Sequence, residues 1–203
     1  MTYISSDSLI RKILLPFFGG AIFFLLLLSP LLYYSFSSSF YTQYMVQNQN
    51  ILSNQSMDYV QNIYAFIQWT SSLDPVFSLT EKSHMQDVKK VFHMVVVFEI
   101  IACIIFFLSL FVFIFQKKFY CIVRWFLWGS ISAFVFFLLL FLAIRINFLI
   151  AFSLFHRLFF PQGNRVFDSS SMLISLFPVG FFEAIAIRTV SYTHLTLPTI
   201  YSV

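Results

Sequence analysis

Apolar residues in this chain come in long blocks separated by polar stretches of very unequal length. Ile13 to Tyr34, Val91 to Phe115 and Trp125 to Phe148 are each long enough to cross a bilayer as a helix, which takes roughly 20 residues. A fourth block, Pro178 to Val190, is too short to span by itself. The pattern predicts an all-α, polytopic membrane protein: one domain over residues 1–190, built as a bundle of four transmembrane helices. The expected spans are 13–34, 91–115, 125–148 and a truncated 178–190, with polar connections at 36–90 and 149–177. Pro16 is placed in a first helical turn, and Gly19-Gly20 favour close helix packing. Residues 191–203 carry no helical pattern and resemble a translated sequencing-adapter read-through, so they are set apart from the fold. For the first block the rival reading is a cleaved signal peptide. Its apolar core exceeds the usual length of one, which favours a retained anchor.

The segment 36–90 is rich in Ser, Gln and Asn. Within it Met57, Val60, Ile63, Tyr64 and Ile67 recur at helical spacing, predicting an amphipathic helix that roofs the bundle between the first two spans. Trp69 suits a headgroup-level position, and Asp74-Pro75 marks a turn. Ser78 with Glu81 fits a capping box, starting a helix that runs unbroken into the second span.

Composition sharpens the membrane reading. Hydrophobic residues make up 60% of the chain and charged ones 10%, with mean hydropathy +0.86, too little polar surface for a globule in water. The net charge of +4 contains no dense basic run, which argues against a nucleic-acid partner. Cys103 and Cys121 form no CxxC pair and suggest neither a disulfide framework nor a thiolate metal site. Arg11, Lys12, Lys117, Lys118 and Arg124 put the N-terminus in the cytoplasm by the positive-inside rule. Residues 36–90 and 149–177 then face outward.

Two polar motifs stand at that outer level: Ser83-His84-Met85-Gln86-Asp87-Val88-Lys89-Lys90, leading into the second span, and Phe155-His156-Arg157-Leu158-Phe159-Phe160, just after the third. On a helix Asp87 lies within reach of His84, while Lys89 and Lys90 point elsewhere. Either histidine alone reads more readily as a structural residue, His84 at an ordinary helix end among solvated charges and His156 among its apolar neighbours. Two at one membrane level point to a functional pair, because an ionisable group there is costly. His84, Asp87 and His156 could supply three zinc ligands, but no HExxH accompanies them, and neither a metal nor a cofactor is expected. No nucleophile elbow is present. His93 is expected to bond within the bundle. Arg145 would pair with Glu99 or Glu183, since each is costly in a membrane unless partnered.

Together, His84-Met85-Gln86-Asp87-Val88-Lys89-Lys90-Val91-Phe92 and Phe155 to Phe160 resemble the bacterial lipoprotein intramolecular transacylase (Lit) family. Phe167-Asp168 and Leu176-Phe177-Pro178 with Phe181-Phe182 reinforce the likeness, while Arg165 and Ser169 depart from the family pattern. The resemblance implies a multi-pass protein of the bacterial plasma membrane with its site at the outer face. It implies an acyltransferase that moves the sn-2 acyl chain of a diacylglyceryl lipoprotein onto the α-amine of the lipoprotein's N-terminal cysteine, leaving the lyso form. It also implies His84 and His156 as the catalytic pair. Asp87, Lys89, Arg157, Asn164, Asp168 and Tyr59 are the candidate supporting or substrate-binding residues, and the expected partners are diacylglyceryl lipoproteins and membrane lipids. Two imidazoles, whose ordinary pKa is about 6.5, suit removal of a proton from an amine and its delivery to an alkoxide. A non-enzymatic sensor or transporter subunit with a ligand-binding outer loop is the alternative.

Overall fold

The computed structural model describes residues 6–48, 53–117, 119–161, 167–168 and 170–199, and every regular element among them is helical. In chain order these are α1 (Ser6–Phe36), α2 (Ser38–Gln47), α3 (Asn54–Ile67), α4 (Leu79–Phe115), α5 (Phe119–Phe159), α6 (Met172–Leu176) and α7 (Val179–Thr199). Among the described residues three helical stretches are long and apolar enough to cross a membrane: Pro16–Phe36, Leu79–Phe115 and Ile122–Phe159. The protein is therefore an all-α, multi-pass integral membrane protein.

Several boundaries differ from those the sequence suggested. Helix α1 starts at Ser6, so Pro16 lies inside it and not in its first turn. The third span does not give way to a loop at residue 149: Asn147 leaves helical geometry (φ −161°, ψ 97°) and the helix resumes at once. The Asn147 side chain makes this possible by accepting a hydrogen bond from the Ile150 amide at 3.1 Å, capping the new segment that carries the second histidine motif. Ser191–Thr199, set apart as a non-helical tail, continues α7. Extending a formed helix adds one hydrogen bond per residue fixed, and the segment's one breaker, Pro198, stands in the last turn of α7.

By packing, the chain divides into two units, one of residues up to Pro30 with Val96–Leu140 and residues from Val190, the other of Leu31–Val95 and Phe141–Thr189. In the first, Phe18, Ile22 and Phe113 form a buried cluster with Phe106 and Trp125 against it. Most other large apolar side chains, such as Phe107, Leu108, Phe111 and Leu139, are exposed, as lipid-facing residues of a membrane helix are. Glu99 accepts a hydrogen bond from the Ser29 hydroxyl, which reduces the cost of a carboxyl in an apolar helix. Arg145 forms no ion pair among the described residues, so the expected Arg145–carboxylate pair is not made. Close helix approach falls on one glycine of the Gly19-Gly20 pair. A Cβ on Gly129 would sit 2.8 Å from the Gly19 carbonyl oxygen, whereas one on Gly20 would meet nothing within 4 Å. Gly129→Leu is expected to lower thermal stability in detergent by about 1–3 kcal/mol through overpacking, and Gly20→Ala to leave it unchanged. Equal unfolding temperatures for both variants would contradict this packing.

The second unit has the larger core, drawn from α2, α3, α4, α6 and α7: Phe40, Tyr41, Val60, Ile63, Tyr64, Ile67, Phe77, Met85, Leu173, Leu176 and Phe181 among others. The periodic residues read in 57–67 form the inner face of α3, with Val60, Ile63, Tyr64 and Ile67 buried. Tyr41 is fully buried and donates from its hydroxyl to the Leu176 carbonyl at 2.8 Å, tying α2 to α6. Burial pushes its phenol up to about 12. Helix α3 ends in a Schellman-type cap, with Thr70 N–H on the Ala65 carbonyl and Trp69 N–H on Phe66, which holds Trp69 at φ 63°. His93 closes the same end, 2.9 Å from the Ile67 carbonyl, with its ring against Trp69. It is a structural histidine.

Candidate active site

The site is built from the start of α4 upward. Ser78 and Glu81 cap that helix reciprocally: the Ser78 amide donates to Glu81 Oε2 at 2.8 Å, and the Glu81 amide to Ser78 Oγ at 3.3 Å. At 37 residues α4 is about 55 Å long, well beyond the roughly 30 Å of a bilayer core, so these first turns stand ahead of the apolar span. Glu81 also reaches across to α6. Its Oε1 accepts from the Ser171 hydroxyl at 2.6 Å and from the Leu173 amide at 3.1 Å. Burial alone would raise its pKa, but the hydrogen bonds from Ser171, Ser78 and Leu173 outweigh it and hold the carboxyl below its usual range. The capping role was legible in the sequence; the tether to α6 was not.

One turn after Glu81 comes His84, 8% exposed, next to the core residue Met85. His156 lies in the last turn of α5. The two rings face each other nearly parallel, with centroids 6.3 Å apart and planes at 15°. At that separation no nitrogen of one ring can hydrogen-bond the other directly, since such a bond is about 3 Å long. Phenylalanines surround the pair. Phe160 lies 5.0 Å from His84 and 5.4 Å from His156, Phe167 lies 5.2 Å from His84, and Phe152 lies 4.0 Å from His156. Rings on these sides exclude water and lower the local dielectric, which strengthens any hydrogen bond that either imidazole makes to a group held between them.

His156 Nδ1 is 2.9 Å from the Phe152 carbonyl oxygen. A carbonyl only accepts, so Nδ1 carries the proton, and in the neutral ring Nε2 keeps its lone pair. The backbone of α5 thus sets both the orientation and the tautomer of this histidine.

The other sequence-selected residues occupy varied positions. Asp87 pairs with Lys90 at 2.9 Å along α4. Lys89 lies over the Phe66 ring at 4.2 Å, a cation–π contact onto α3. Tyr59 accepts from Gln55 at 3.0 Å and packs edge-on to Phe77. Arg157 and Asp168 are exposed, and the Asp168 carbonyl accepts from the Ser171 amide. Asn164 lies outside the described residues. No three His, Cys, Asp or Glu side chains among the described residues are gathered so as to hold a metal ion. Of the walls of the pair, Phe160 and Phe167 stood in the motifs Phe155 to Phe160 and Phe167-Asp168, though nothing in the sequence placed them against the histidines. Phe152 carried no signal that separates it from the other phenylalanines of the 30 in the chain.

Comparison with known proteins agrees with this architecture. The family model "Lipoprotein intramolecular transacylase Lit" matches residues 9–182, ending ahead of the polar stretch that begins at Ser191. The solved structure of the membrane-integral lipoprotein intramolecular transacylase Lit from Bacillus cereus is similar in fold, with a TM-score of 0.81 at 19% identity, covering 91% of this chain and 89% of that one. A second structure of that protein, with one histidine replaced by alanine, gives a TM-score of 0.74 at 19% identity, covering 93% and 91%. No curated protein matches. With most of its length matched by that model, the chain belongs to the lipoprotein intramolecular transacylase (Lit) family of membrane enzymes, whose substrates are lipoproteins.

Proposed function

We propose that the protein moves the sn-2 acyl chain of a diacylglyceryl lipoprotein to the α-amine of that lipoprotein's N-terminal cysteine, with His84 and His156 as its acid–base pair. The observation that carries this reading is the convergence of two imidazoles in a phenylalanine-lined setting, 6.3 Å apart, in a chain of this family. The amine nitrogen attacks the ester carbonyl carbon, a C–N bond forms, and the bond to the glyceryl oxygen breaks. His156 Nε2 takes the proton lost by nitrogen, and His84 supplies one to the departing oxygen. Amine and ester belong to one molecule, so holding them together provides much of the rate, and no serine or cysteine nucleophile is required.

Asp87 holds the His84 turn of α4 through its pair with Lys90. Arg157, exposed next to His156, contacts the developing oxyanion or a lipid headgroup, and Asp168, also exposed, and Asn164 serve as supporting or substrate-binding residues. Lys89 and Tyr59 act through α3, fixing the segment that roofs the site. The N-terminus is cytoplasmic, the site faces outward from the bacterial plasma membrane, and α7 is the fourth span of the bundle, entered from the outer side.

Expression in a host that makes only diacyl lipoproteins tests this reading. Mass spectrometry of a lipoprotein N-terminal peptide is expected to find one acyl chain on nitrogen and one left on the glyceryl group. An unchanged diacylglyceryl peptide, with the protein present in the membrane, would reject it. A transport or signalling defect on deletion would then favour a sensor or transporter subunit.

A further inference from the structure

A second concave site lies away from the histidines, between α2 and α7, with a volume of about 190 Å³. Helix α2 lines it with Phe40, Gln43, Tyr44 and Gln47, and α7 with Ala184, Ile187 and Arg188. The floor is therefore apolar and the rim carries one guanidinium, two amides and a phenol. Pockets for whole drug-sized ligands run to about 300–1,000 Å³, so this one fits a headgroup-sized moiety.

Arg188 is exposed and has no ion-pair partner among the described residues. On an apolar helix such a cation is costly and calls for an anion from outside the chain. Guanidinium matches the oxygens of a phosphate with two parallel hydrogen bonds, and the amides of Gln43 and Gln47, one helical turn apart, present further donors to the same space. Gly180 is part of the construction of this site. A Cβ there would lie 2.6 Å from the Tyr44 hydroxyl, so only glycine lets that phenol lie against α7. Burial, and then the charge of Glu183, hold the Tyr44 phenol above its ordinary pKa, keeping it a neutral donor. The Glu183 carboxylate, whose charge is felt by that phenol, works against any anion in the pocket and about twice as strongly against a doubly charged one as against a singly charged one.

We propose that the α2–α7 pocket binds a phosphate oxyanion through Arg188, Gln43, Gln47 and Tyr44, with a phospholipid phosphodiester as its source. A phosphodiester bears one negative charge, whereas free phosphate carries more at neutral pH. The apolar floor formed by Phe40, Ala184 and Ile187 receives the start of an acyl or glyceryl chain, which free phosphate lacks. The site is independent of the transacylase reading, since nothing in it involves His84 or His156.

The test is thermal unfolding of the full chain in detergent during titration with dihexanoyl phosphatidylglycerol, the matching diacylglycerol without phosphate, and inorganic phosphate. Phosphatidylglycerol is expected to raise the unfolding temperature saturably, diacylglycerol to do so less, and Arg188→Gln to weaken half-saturation by about tenfold or more, the worth of one charge-assisted pair. Arg188→Lys should recover part of the effect. An equal, Arg188-dependent shift with inorganic phosphate would keep the phosphate site and assign it a soluble ligand. Equal responses to phosphatidylglycerol and diacylglycerol, or unchanged half-saturation in Arg188→Gln, would overturn the proposal. Should Arg188→Gln not fold, the double variant Gln43→Ala, Gln47→Ala decides in its place, and wild-type half-saturation there would overturn the proposal as well.

Discussion

Replacement of His84 or of His156 by alanine is expected to lower lyso-lipoprotein formation by about 10²–10⁴-fold each, the usual worth of a positioned general acid or base. Both proteins should still accumulate in the membrane. His84 is buried next to Met85 but makes its close ring contacts with Phe160 and Phe167, which can settle around a smaller side chain. The His156 ring bonds back onto its own helix, and loss of that bond leaves the Phe152 carbonyl inside α5, where it still has the helical amide four residues on. The two losses should not add. If the imidazoles act on one proton path, the double variant will be about as inactive as either single one. Time courses of N-acylation, read by mass spectrometry at matched protein levels, distinguish the cases. Near-normal N-acylation in either variant would remove that histidine from the mechanism.

The largest effect on stability is expected from Glu81. Its carboxylate is 4% exposed and accepts from the Ser78 amide, the Ser171 hydroxyl and the Leu173 amide. Glu81→Ala leaves the buried Leu173 amide without its acceptor, at about 1–3 kcal/mol. It also removes two part-buried bonds, from the Ser78 amide and the Ser171 hydroxyl, at about 1 kcal/mol each, so a loss of roughly 3 kcal/mol is expected. Glu81→Gln keeps one accepting oxygen and should cost less, and Ser171→Ala less again. Because Glu81 lies one turn from His84, the Ala variant should also lose activity through misplacement of the ring. A pH series offers a second check. The folded carboxyl titrates below its usual range, so its contribution is complete above the ordinary carboxylate pKa and is lost as pH falls through the lowered folded value. Wild-type unfolding temperature should therefore fall on acidification in that window, and Glu81→Gln should show a flatter profile. Parallel profiles for the two proteins would mean that Glu81 does not carry the tether.

The parts of the protein that were legible in the sequence share one property: they are set by neighbours close in the chain. The three long apolar helices follow from unbroken apolar runs, because a backbone in lipid must satisfy its own hydrogen bonds. The inner face of α3 follows from the spacing of Val60, Ile63 and Ile67, and the start of α4 from Ser78 and Glu81 three residues apart. Local rules failed where a side chain overrode them. Asn147 caps a renewed helix just where the third span was expected to end, and Glu99 takes Ser29 as its partner instead of an arginine.

Sequence alone thus determined the class of the protein, its long helices and the two histidines as the residues to watch. Only the tertiary structure decided that their rings face each other, that Phe160 and Phe167 wall them in, and that Glu81 fixes α4 to Ser171 across 90 residues. The reason is physical. Helix periodicity and capping are energies of neighbouring residues, and they can be read from spacing. A contact between distant segments depends on how whole helices pack, and in a chain with 30 phenylalanines many packings share one local pattern.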